Sequence, residues 1–269
     1  MQDKILQDGT EAVIVAAVEA NFIAYGTTQL ARWSRIEGQD DPPLLWFECD
    51  IPSPMFNVVL RARLSPDTVD QVIVRLQSHY AERNLPITWW ITPSSTPFDL
   101  SHHLTSAGFI PAGELTGMAI DLQKLPLTPH PENLMIEPAG DTSSLATFAQ
   151  TLCQAFQVPP ALVEPMIDQA MAMDLRMEGP LINYVGYLNN QPVATASLYL
   201  ESGVAGIYNV STLPAARRLS APMAFATSMV VAVAIPLASA TRTSVTGKTT
   251  VRAASGNGPS CPTKAASTT

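Results

Sequence analysis

Residues 206–218, GIYNVSTLPAARR, decide how this chain is read. Ala205–Ser211 carries Ile, Tyr and Val close together and predicts a strand. Pro214 follows shortly, and Pro214 to Arg218 leads towards a helix whose opening turn is basic. A strand that splays from its neighbour at its end exposes backbone N–H and C=O groups. Those can pair with the amides of an extended ligand as though it were another strand. The N–H groups that open a helix point at an anion, and Arg217 and Arg218 would add positive charge beside it.

Upstream, Val185 to Gly203 (VGYLNNQPVATASLYLESG) predicts a hairpin. Its strands are Asn183–Leu188 and Pro192–Glu201, and Asn189-Asn190-Gln191 is the turn. Gly203 breaks the chain before the next strand. Before the hairpin, Leu134–Pro138 reads as a strand and Asp141–Phe156 as a helix capped by Asp141 or Thr142. Pro159–Met173 reads as a second helix.

Strand, two helices, hairpin, then a strand running into a basic turn resembles the GNAT superfamily of N-acetyltransferases over Asn133 to Arg218. Residues 206–218 look like the family's fourth strand and the start of its acetyl-CoA loop. There a strand ending in Val is followed by Pro and then by an Arg/Gln-x-x-Gly-x-Gly/Ala turn. The resemblance implies acetyl transfer from acetyl-CoA, a co-substrate, to an amine on a small molecule or peptide. It implies that the backbone around Val210, Ser211 and Thr212 meets the pantetheine, and that Val210 polarises the thioester carbonyl. Arg217 would take the leading place of the pyrophosphate loop, with Arg218 beside it. An ordinary strand followed by a basic helix start is the other reading of the same residues. GNAT proteins are often dimers.

The first half resembles the family more loosely. Asn57–Arg63, a helix from Pro66 and Ile87–Thr92 (ITWWIT) are followed by Leu104–Phe109 (LTSAGF) and a strand at Leu115–Leu122. Together they look like the C-terminal part of a GNAT domain. Ser65 and Pro66 stand where a glycine loop would be, so this half reads as a degenerate copy that binds no acetyl-CoA. An unrelated α/β domain is the alternative. Before it, residues 11–24 (EAVIVAAVEANFIA) predict a helix, and Gly38 to Pro43 (GQDDPP) a loop. The expected architecture is α/β: two tandem halves with GNAT-like mixed sheets flanked by helices, the second incomplete. Its segments are 1–125, a proline-rich linker 126–132, 133–218, and a tail 219–269.

The resemblance stops at Arg218. The loop wants Gly at 220 and Gly or Ala at 222, but the chain has Ser220 and Pro222, and proline has no N–H for a phosphate. No tyrosine follows Tyr208 to serve as the family's general acid. All 23 acidic residues precede position 219, and Phe225 is the one aromatic residue after it. A shifted reading frame is the preferred explanation of that change. A divergent tail and a membrane anchor over Leu219–Thr241 remain alternatives. Under the first, faces of the surviving strands are expected to lie exposed. A pseudoenzyme that keeps the fold without turnover is the competing functional class.

Composition narrows the field. A formal net charge of -8 disfavours nucleic acid as a partner, and the chain as a whole is not expected to bind membranes. Cys49, Cys153 and Cys261 show neither disulfide nor zinc spacing. The N-terminus shows no signal-peptide pattern, which makes the cytoplasm the default. Gly247-Lys248-Thr249 suggests a phosphate loop, but Arg242 stands where it needs glycine. His102-His103 with Asp99 does not make a metal site, because adjacent helical residues do not share a face. Met166, Met171, Met173 and Met177 could line an acceptor pocket, with core packing as the plainer reading. Acetyl transfer needs a deprotonated amine, for which Glu178 and Glu201 are the carboxylate candidates. Spacing singles out neither.

Overall fold

The computed structural model describes residues 6, 9–121, 133–172, 179–217 and 248–256. Glu178, Arg218, Met173, Met177, the linker 126–132 and the tail apart from 248–256 lie outside the described residues. In chain order the elements are α1 (Glu11–Ala31), β1 (Ile36–Asp41), β2 (Leu44–Cys49), β3 (Val58–Ala62), α2 (Val69–Glu82), β4 (Ile87–Ile91), α3 (Leu100–Ser106) and β5 (Ile110–Met118). There follow β6 (Leu134–Pro138), α4 (Thr142–Phe156), α5 (Pro160–Met171), β7 (Leu181–Leu188), β8 (Gln191–Glu201), β9 (Val204–Thr212) and β10 (Lys248–Gly256). The chain forms two compact units, Ser34–Thr116 with Thr249–Thr269, and Met1–Trp33 with Gly117–Lys248. Helix α1, which the sequence groups with 1–125, belongs to the unit of the later sheet.

The unit built on Ser34–Thr116 has a mixed sheet in the order β1-β2-β3-β4-β10-β5. β3 and β4 are parallel, and α2 supplies the crossover that parallel pairing requires. One face of α2 buries Val69, Ile73, Leu76 and Tyr80 against Val59, Trp89, Leu104 and Phe109. Buried Tyr80 keeps its hydroxyl satisfied by donating to Phe47 O at 2.7 Å. Buried Asn57 ties the β2–β3 loop: its Oδ1 accepts from Cys49 N, and its Nδ2 donates to Ile51 O and Ser53 O.

Three elements of this unit differ from expectation, the first being the strand expected at Leu115–Leu122, which runs instead as β5 over Ile110–Met118. The loop expected at Gly38–Pro43 is mostly strand, β1, paired from Ile36 with Cys49 to Asp41 with Leu44. Its polar residues give no apolar alternation because it is a sheet edge with largely solvated side chains. Within the tail, β10 runs antiparallel to β4, from Arg252 opposite Ile91 to Gly256 opposite Ile87. Lys248 and Thr249 therefore open a strand, not the helix that a phosphate loop needs.

The other unit carries an antiparallel sheet, β6-β7-β8-β9, rather than a mixed one among its described strands. Its two tight hairpins have positive φ at both central residues: Asn189 51° and Asn190 63°, then Ser202 58° and Gly203 74°. That is the turn twist matching antiparallel strands, and Asn and Gly tolerate it best. Asp141 accepts from Ser144 N, and Ser144 Oγ accepts from Asp141 N, a capping box that fixes the start of α4. Met166 and Met171, both half-buried, pack against the core residues Leu145, Phe148, Leu152 and Val185.

β8 is buried on both faces. Ala194, Ala196 and Leu198 share one, with Leu134 and Ile207; Thr195, Ser197 and Tyr199 share the other. The exposed faces expected of an incomplete sheet are absent from this strand. Helix α1 packs on β8 and β9 and runs seven residues beyond the expected Ala24, to Ala31. Gly26, Thr27 and Thr28 are weak helix formers, but tertiary contacts outweigh propensity here. Thr28 Oγ1 shares a 2.8 Å hydrogen bond with Tyr199 OH, and Gln169 Nε2 donates to Gln29 O at 3.1 Å. By length and hydropathy α1 could also cross a membrane. Here its apolar stretch carries Asn21 and Tyr25 onto polar partners of the sheet.

Candidate active site

β9 is the edge strand of its sheet, so one of its sides has no neighbouring strand among the described residues. Its pairing with β8 slips once. Thr195 lies opposite Ser211 and Ser197 opposite Tyr208, which leaves Asn209 and Val210 both facing Ala196. Such a bulge lifts the extra residue out of the ladder and re-aims the strand. Asn209 adopts φ 52°, a left-handed conformation that asparagine tolerates better than most residues. Val210, next to it, is 42% exposed.

A closed set of hydrogen bonds holds this bulge. Thr195 Oγ1 donates to Asn209 O at 2.8 Å, so Ser211 is the donor in the 2.7 Å bond between Ser211 Oγ and Thr195 Oγ1. Asn209 Nδ2 donates to Ser197 Oγ at 3.0 Å and to Tyr25 OH at 2.8 Å. Ser197 Oγ donates its own hydrogen bond to Asn183 Oδ1 at 2.6 Å. Tyr25 lies flat on Tyr208, ring centroids 3.8 Å apart and planes 3° from parallel. Tyr208 OH donates to Asn21 Oδ1 at 2.6 Å, and Asn21 Nδ2 donates to Glu201 O at 2.9 Å. Asn21 and Tyr25 are four residues apart in α1 and share a helix face.

Burial pushes the Tyr25 and Tyr208 phenols well above the usual tyrosine range. Both stay neutral at physiological pH and act as fixed hydrogen-bonding groups rather than proton donors. The bulge is thus held by uncharged partners whose geometry does not change with pH near neutrality.

The residues expected from the sequence fall around this feature unevenly. Val210, Ser211 and Thr212 form the end of β9, with Ser211 and Thr212 buried. Arg217 turns back: its Nε donates to Thr212 O at 2.9 Å and its Nη2 to Ala155 O at 3.3 Å. It ties the end of β9 to the C-terminal end of α4, where a cation complements the helix dipole. Glu201 sits at the hairpin end of β8, five residues (201 − 196) past the bulge, or about 17 Å along a strand. Arg218 and Glu178 lie outside the described residues.

The fold of this chain is found in solved structures at low sequence identity. A GCN5-related N-acetyltransferase from Kribbella flavida is 14% identical with a TM-score of 0.62, over 89% of this chain and 96% of that one. The chain has the fold of the GNAT acetyltransferases. A GCN5-related N-acetyltransferase from Sphaerobacter thermophilus aligns over 92% of this chain and 91% of its own, at 13% identity and a TM-score of 0.56. A tandem GNAT protein of the clavulanic acid biosynthesis pathway aligns over 94% and 95%, at 9% identity and a TM-score of 0.58. No family model and no curated protein matches the chain. At these identities the likeness to GNAT structures is one of fold.

Sequence reading missed Tyr25 and Asn21. They precede Asn209 and Tyr208 by 184 and 187 residues, a separation no local pattern reports. The available signal was two hydrogen-bonding side chains spaced i, i+4 within a mostly apolar stretch of helix, which points to polar partners beneath that face.

Proposed function

We propose that the chain is an N-acetyltransferase of tandem GNAT build that moves an acetyl group from acetyl-CoA to an amine. The observation that carries this reading is the bulge at Asn209–Val210 in the edge strand of a GNAT-like sheet. An edge strand offers backbone groups to the pantetheine amides. In this reading the bulge turns the Val210 backbone N–H towards the thioester carbonyl, which it polarises. The amine nitrogen attacks that carbon, the C–N bond forms, and the C–S bond breaks. The amine's proton passes to a carboxylate or through water to solvent, and the CoA thiolate leaves and is protonated. Val210, Ser211 and Thr212 contact the acetyl-pantetheine arm, with Arg217 and Arg218 towards the pyrophosphate. Glu201 lies too far from the bulge to reach the reacting nitrogen directly, which leaves Glu178 as the carboxylate candidate.

Two observations favour a second reading, a binding module without turnover. Arg217 gives its guanidinium to two backbone carbonyls, and Pro222 has no N–H for a phosphate. Calorimetry with acetyl-CoA tests both. Micromolar binding together with CoA release in an amine screen supports the transferase. Binding with no release on any amine supports the module, and no binding at millimolar acetyl-CoA sinks both.

A further inference from the structure

Helix α1 lies far from β9 in sequence, yet it meets the strand at Gly206, Tyr208 and the bulge residue Asn209. Asn209 holds the left-handed conformation that makes the bulge, and its side-chain amide has two acceptors, Ser197 Oγ within the sheet and Tyr25 OH from the helix. Tyr25 is itself fixed by its stack on Tyr208, whose hydroxyl is held by Asn21 one helical turn earlier. Gly206 lets the helix come this close, since a Cβ there would sit 2.0 Å from Asn21 Oδ1.

We infer that Tyr25 is a positioning residue: by accepting from Asn209 it holds the bulge so that the Val210 N–H meets the thioester carbonyl. This rests on the acetyl-CoA reading and adds to it a part of the site contributed from outside the strand–helix–hairpin run. Without the Tyr25 oxygen, Asn209 keeps one of its two acceptors, and its backbone is free to relax towards an ordinary strand conformation. The Val210 N–H then turns away from the carbonyl. The pantetheine contacts along the strand edge remain, so the loss falls on recognition of the acetyl group and not on the rest of CoA.

The variant Tyr25→Phe removes the oxygen and keeps the ring that stacks on Tyr208. Calorimetry with acetyl-CoA and with free CoA, on the full chain, separates the two contributions. The wild type is expected to prefer acetyl-CoA by roughly threefold to tenfold, the worth of one hydrogen bond. Tyr25→Phe is expected to lose that preference while binding free CoA as the wild type does. In an Asn209→Gly background, where glycine takes the left-handed conformation unaided, Tyr25→Phe is expected to change nothing further. Equal weakening towards both ligands would show a merely structural role and overturn the inference, as would an unchanged preference. A wild type that binds neither ligand overturns the acetyl-CoA reading and the inference with it. A wild type that binds acetyl-CoA preferentially, with the preference intact in Tyr25→Phe, overturns the inference alone.

Discussion

Beneath α1, Gly206 has no room for a side chain. A Cβ built there lies 2.0 Å from Asn21 Oδ1 and 2.6 Å from Tyr208 Cε2. Asn21 is not free to swing aside, because its Nδ2 donates to Glu201 O and its Oδ1 accepts from Tyr208 OH. Gly206→Ala therefore forces a choice between a steric overlap and loss of those bonds. It is expected to lower stability by about 1–3 kcal/mol, the usual cost of overpacking a filled interior. Urea denaturation reads this directly. Asn21→Ala in the same background should cost less than the two single losses summed, because it removes the nearer of the two side chains the new methyl strikes. Strict additivity of the two substitutions would show that the clash lies elsewhere.

Elements differ in how far their residues announce them. Helix α4 is the clearest: Asp141 opens it, accepts from Ser144 N at 2.8 Å, and has its pKa lowered chiefly by that backbone bond. A carboxylate whose folded pKa is depressed adds stability above its unfolded pKa, about 3.9. The contribution is lost as pH falls through the folded value. Thermal midpoints followed from pH 6 to pH 2.5 should fall less steeply for Asp141→Asn, which keeps a capping oxygen but has no proton to take up. Equal slopes would mean the cap does not titrate with folding. β6, β7, β8, α4 and α5 were legible for the same reason as this cap, since each carries its own periodicity and its own turn residues. The edge strand β1 was not, because IEGQDD owes its conformation to pairing with β2. The last turns of α1 were not, because Gly26, Thr27 and Thr28 give no helix signal of their own and Thr28 is held by the distant Tyr199. At the site, the strand Ala205–Ser211 could be read, but its bulge could not. A left-handed Asn209 depends on Thr195, Ser197 and Tyr25, none of which is its neighbour in sequence.

For the molecule as a whole, the tail is the point at issue. The sequence from Leu219 onward lost its acidic residues and most of its aromatic ones, which favoured a shifted reading frame. A frameshifted segment has no reason to complete a sheet, yet β10 lies between β4 and β5. That strand gives β4 a partner beyond β3, with ladder pairs from Ile87 to Ile91. Removing it turns β4 into an edge, with backbone amides that must find water instead. A chain ended at Gly247 should therefore exchange amide protons at Ile87–Ile91 at least tenfold faster than the full chain, as followed by mass spectrometry. Amides of β8, whose partners are β7 and β9, serve as the internal control and should keep their protection. Unchanged exchange at Ile87–Ile91 would show that residues 248–256 add no strand in solution and return the tail to the frameshift reading. Faster exchange in β4 alone would show that the tail belongs to the fold, and that its unusual composition is compatible with a structural role.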